Sequence, residues 1–172
     1  NKNTGDIIQS YSFPENWSGS VFQRFLKYDN GYAFYAGTDK DNQLMIGRFD
    51  SLAKPLGFKY LPGVISIPYA DVKDGFLYLN FSYADFSINT HVIMKLDAEL
   101  EPVFMNEYLQ DHETQVKGIG VGDNGKIYTG GGWAAMGGAT SNTYLMKFGT
   151  NGEVGFCGYQ PYYATFQGFN PT

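Results

Sequence analysis

A chain of 172 residues is long enough for one domain with a real core and too short for two ordinary ones. Hydrophobic residues make up 43% and aromatics 17%, with 14 Tyr, 14 Phe and 22 Gly, a balance that favours β-rich, turn-rich structure over helical bundles or disorder. Only 17% of residues are charged and the formal net charge is −5, so no basic field attracts phosphate backbones and nucleic acid is not an expected partner.

Along the chain, the opening residues NKNTGDIIQ lack the basic and apolar stretches of a signal peptide, and the absence of an initial Met suggests a processed or internal piece. No run approaches eighteen apolar residues, so direct membrane insertion is not expected. Residues 21–28 alternate apolar with polar and are predicted as a strand. Asn30-Gly31 then marks a tight hairpin into a strand over 31–37, because Asn-Gly and Asp-Gly supply the positive φ angles that such turns need. An apolar run over 43–50 follows, then a turn over 51–54.

The same order returns twice. Residues 64–70, Asp74-Gly75, 75–80 and 91–97 repeat it, with a turn over 98–101 and a short fourth strand over 103–108. Residues 115–121, Asn124-Gly125, 125–131 and 143–149 repeat it again, with a turn over 150–152. Each third strand ends in a basic residue, an apolar residue and then Asp or Gly: Arg48-Phe49-Asp50, Lys95-Leu96-Asp97 and Lys147-Phe148-Gly149. The basic residues are 47 and 52 residues apart, and Lys2 begins a similar pattern 46 residues before Arg48. A period near fifty with four antiparallel strands per unit matches a propeller blade, since one sheet hides only part of its apolar surface and stacking hides the rest.

The expected fold is therefore an all-β propeller of four-stranded antiparallel blades. About three and a half blades fall in this chain, with units near 2–47, 48–94, 95–146 and a partial unit 147–172. Residues 162–169 are expected to open a further first strand. Three and a half blades leave edges exposed, so further blades of the same polypeptide are the expected partners, with an open stack capped by another protein as the alternative.

Segments such as DNGYAFYAGTDKDNQLMIGRFDSLAKPLGF and DNGKIYTGGGWAAMGGATSNTYLMKFGTNGEVGF resemble the propeller repeats of secreted and surface-exposed bacterial proteins, common among Bacteroidetes cargo of the type IX secretion route. The third unit matches best. The second departs, with Asn80-Phe81-Ser82 at the glycine-rich strand end and Ala98-Glu99-Leu100-Glu101 at the Asn-Gly turn. The resemblance implies a secreted or cell-surface location and a structural or binding role, and it supplies no catalytic residues.

Chemistry-bearing residues are few. Gly130-Gly131-Gly132-Trp133-Ala134-Ala135-Met136 is expected to carry Trp133 and Met136 to a rim, where a tryptophan can stack on a sugar or anchor a protein, unless it packs between blades. Phe81, Tyr83 and Phe86 form a second aromatic segment at the equivalent position. Together these five residues are the expected surface for a protein or glycan ligand. Asp39, Asp41 and Asn42 place two carboxylates and an amide in one loop, a donor set suited to calcium, although a solvated turn is the ordinary reading and no cofactor is required. His91 and His112 fall on different repeat elements, with no Ser or Cys evidently placed to act with them. The lone Cys157 lies in Gly155-Phe156-Cys157-Gly158 and is expected to be a buried, inert thiol.

The expected function is a non-catalytic scaffold or binding propeller. The alternative is a fragment of a hydrolase- or lyase-type propeller enzyme, with Asp71, Asp85 or Asp123 contributing to an axial site.

Overall fold

The computed structural model describes residues 22–29, 32–38, 43–52, 54–64, 69–85, 88–109, 113–134, 141–153, 159–161 and 167–169. These residues form antiparallel sheets and contain no helix. The first sheet contains β1 (Phe22–Asp29), β2 (Tyr32–Thr38), β3 (Gln43–Phe49) and β4 (Pro55–Pro62), paired in sequence order. The middle sheet contains β5 (Tyr69–Lys73), β6 (Phe76–Asp85), β7 (Ile88–Leu96) and β8 (Pro102–Leu109) in the same order. The last sheet contains β9 (Glu113–Val121), β10 (Ile127–Ala134) and β11 (Ser141–Phe148). Thus three meanders of one kind follow one another.

Local chemistry sets the turns. Asp74 and Gly75 both have positive φ, 53° and 80°, so β5 and β6 meet in the tight two-residue turn that suits strand twist. At the equivalent place in the last sheet the loop is wider. Gly122 donates its N–H to the carbonyl of Lys126 at 3.0 Å, and only Gly125 turns left-handed, at 73°. Before each fourth strand, the carboxylate of Asp50 accepts the N–H groups of Leu52 and Lys54, and that of Asp97 accepts those of Glu99 and Glu101. The last sheet has Gly149 there. Its turn uses the Glu153 carboxylate to accept the Asn151 N–H at 2.9 Å, in the space that a side chain at 149 would fill.

Stacking follows the same period. Strands β1, β5 and β9, each the first of its sheet, lie side by side, so the sheets meet along equivalent edges. One face of the middle sheet, with Leu77, Leu79, Phe81, Val92, Met94 and Leu96, packs against Phe34, Ala36, Leu44 and Ile46 of the first. The opposite face carries Tyr78, Ile93 and Tyr108 against Ile127 and Phe148 of the last. Alternate residues of β6 and β7 therefore serve two cores, which explains why consecutive residues over 77–82 and 91–94 are buried on both faces. Side chains about one repeat apart join the sheets: Arg48 to Glu99 at 3.3 Å, Lys59 to Glu101, and Lys73 to Asp123 at 2.6 Å.

The end of the chain departs from expectation. β12 (Tyr159–Pro161) pairs with β8 and β13 (Gln167–Phe169) pairs with β4. Residues 167–169 thus occupy an outer edge of the first sheet instead of opening a new first strand. The outer N–H and C=O groups of a fourth strand are ready to accept such a pairing. The described strands form an open stack, with no closure into a ring.

Candidate functional site

The two ends of the stack have different roles. At one end lie the hairpin turn of the middle sheet, with Lys73, and that of the last, with Asp123, joined by their ion pair. Nearby, the Asp71 carboxylate accepts the N–H of Val121 across the seam at 2.8 Å and that of Val72 at 2.9 Å. The opposite end carries the connections from second to third strand, which depart from Thr38, Asp85 and Ala134. Because the sheets are stacked in a common direction, these three departures share one end.

The residues singled out in the sequence divide among several places. Asp39, Asp41 and Asn42 belong to the first connection, Phe86 to the second and Met136 to the third, and all five lie outside the described residues. Tyr83 is in β6, paired with Thr90, and Trp133 is in β10, paired with Asn142 and Thr114. Phe81 is different. It is fully buried between the first and middle sheets, so it belongs to the core and is unavailable to a ligand at the surface. The reason is register: β6 runs to Asp85, past the point at which the aromatic segment was expected to leave the sheet. Asp71 and Asp123 lie at the other end, remote from Asp85 along the strands.

One group was missed. In the hairpin of β6 and β7, Ser82 and His91 are direct cross-strand partners, and their Oγ and Nδ1 atoms share a hydrogen bond of 3.0 Å. This corrects the expectation that no serine accompanies a histidine. The imidazole stacks on Tyr108 at 5.4 Å between ring centres, and Tyr108 exchanges hydrogen bonds with Asn80 at 3.0 and 3.3 Å. Only the register of β6 on β7, in which Asp85 faces Ile88 and Ser82 therefore faces His91, could have revealed the pair. His91 is fully buried and Ser82 is 8% exposed, in a seam closed by Phe148. A nucleophile needs access to a substrate carbonyl and donors for the resulting oxyanion. This cluster is sealed between sheets, and its chemistry is that of a hydrogen-bonded seam.

Among the described residues no three His, Cys, Asp or Glu side chains converge on a common point, and no helix is long and apolar enough to cross a membrane. No family model, curated protein or solved structure matches the chain.

Proposed function

We propose that the chain is a segment of a β-propeller at the surface of a bacterial cell or secreted from it, acting as a non-catalytic scaffold whose connections at one end bind a protein or a glycan. The carrying observation is the alignment of three like sheets, which brings the departures at Thr38, Asp85 and Ala134 to one end of a rigid stack. Rigid sheets with variable connections suit recognition, because the scaffold bears the cost of folding while loop residues change freely. The side-by-side first strands β1, β5 and β9 support the propeller reading, since these would line its axis. The secreted or surface location rests on the resemblance of the repeat and on the type IX cargo pattern.

Trp133 and Met136 are the residues to vary first. Screening the chain against an array of bacterial and host glycans and against surface-protein extracts, beside Trp133→Ala and Met136→Ala chains, tests the proposal. Binding that falls about tenfold or more in either variant, with folding intact, supports it. Binding unaffected by both changes, or mapped to the end bearing Lys73 and Asp123, would overturn it.

A further inference from the structure

The pairing registers put the three sheets into residue-by-residue correspondence. Phe34, Tyr78 and Tyr128 are equivalent, as are Ile46, Ile93 and Leu145, and so are Arg48, Lys95 and Lys147. The first two members of the second set are buried in successive seams, each pointing toward the following sheet. The third member, Leu145, is 77% exposed. Around it, Gly118, Gly120, Gly130 and Gly132 stand where the middle sheet has Tyr69, Asp71, Asn80 and Ser82. A Cβ added at Gly118 or Gly120 would meet nothing within 4 Å, so the space above this face is open.

We infer that this face of the last sheet is the seat for a further four-stranded antiparallel sheet of the same repeat, which brings large apolar side chains and, as the middle sheet does for Arg48, an acidic residue to Lys147. The inference rests on the propeller reading and adds the contact surface. Continuity is the first argument: the exposed face has the same register as the two faces already buried by a following sheet. Shape is the second, because four glycines leave room for side chains as large as the Leu77, Leu79 and Phe81 set that covers the first sheet. Charge is the third. Arg48 is met by Glu99 of the following sheet, and Lys147 is an equivalent cation on the open face, whereas Lys95 between them lies over the Phe76 ring of its own sheet at 3.9 Å. A second copy of this chain lacks the matching acid, because its first sheet has Leu52 and Lys54 where the middle sheet has Glu99 and Glu101.

The test is a chain in which residues 50–148 are duplicated in tandem, so that a copy of the middle sheet follows the present last one. Leu145→Cys is placed in a Cys157→Ser background, in either the first or the second copy, and maleimide labelling is timed against the unextended chain. The first-copy thiol is expected to react about tenfold or more slowly than the same thiol in the unextended chain, while the second-copy thiol reacts as fast. Equal rates in the first copy and the unextended chain would overturn the inference. Failure of the duplicated chain to unfold as one cooperative unit would also count against it, since a built seat should add its sheet to the stack. Labelling that slows as the unextended chain is concentrated would assign the face to a second copy instead. Carbodiimide coupling of Lys73 to Asp123 in the unextended chain separates the two levels. If that link forms, the stack stands and only the seat is at issue; if it does not, the propeller reading itself fails.

Discussion

Between the first and middle sheets the core is built from Leu, Ile, Val, Met, Phe and Ala side chains, whereas the seam between the middle and last sheets holds Asn80, Ser82, His91, Asn106 and Thr129. All the buried polar side chains among the described residues belong to that second seam. One repeat thus supports two kinds of interface. An apolar seam depends on filling volume and tolerates exchanges that conserve it. A polar seam depends on each group keeping its partner, because desolvation penalises any group that loses one. The middle sheet can do both because alternate residues of its strands face opposite ways.

The strongest way to break the comparison is to open a cavity in the first seam. Phe81→Ala is expected to cost about 3–5 kcal/mol, the range for deleting a buried aromatic side chain. Denaturant unfolding of the chain would measure it. A cost near zero would mean that Phe81 is not in the core and that the register of β6 is wrong. In the second seam, His91→Ala removes the imidazole that bonds Ser82 and stacks on Tyr108, with an expected loss of about 1–3 kcal/mol beyond the change in volume. A double-mutant cycle with Ser82→Ala separates the two contributions. Coupling of about 0.5 kcal/mol or more would show that the pair acts as a unit, and additive losses would reduce the seam to packing alone.

A third substitution should act in the opposite direction. The hydroxyl of Thr129 is buried without a hydrogen-bond partner among the described residues, on the face of the last sheet that meets the middle one. Thr129→Val keeps the shape and removes the unsatisfied group, so the chain should gain about 1 kcal/mol. A loss would mean that the hydroxyl has a partner and that the second seam is more fully bonded than its described atoms indicate.

Much of the strand order was legible because it rests on short-range chemistry. Asp74-Gly75 marks a turn by its φ angles, and the spacing of Arg48, Lys95 and Lys147 marks the period. Strand length was harder to read. β6 continues to Asp85, past Asn80, and β7 already includes Ile88, ahead of His91, where those strands were expected to end and to begin; Phe81 lies in that extension of β6 and is buried. Those limits depend on which neighbouring sheet covers each residue, and that is a long-range fact. The Ser82 and His91 pair was hidden for the same reason, since it exists only once the register of two strands is fixed. The turn at Gly149 shows the reverse: the sequence lacks the aspartate of its equivalents, and a glutamate four residues later supplies the carboxylate from the other side.

The smallest effect belongs to the rim, where Lys73 and Asp123 join the same two sheets whose buried groups matter most. The Lys73 ammonium, by hydrogen bond and by charge, holds the Asp123 carboxyl below its usual value. A carboxyl whose folded value is depressed contributes stability above its unfolded value and loses that contribution as pH falls through the folded one. Asp123 is fully exposed, however, so water and salt screen the pair. Asp123→Asn should therefore leave the unfolding midpoint nearly unchanged at neutral pH, and any difference from the parent should vanish in acid and shrink in high salt. A large loss at neutral pH that persists in salt would mean that the rim carries the second seam. The contrast would then lie between a seam held by packing and one held at its edge by charge.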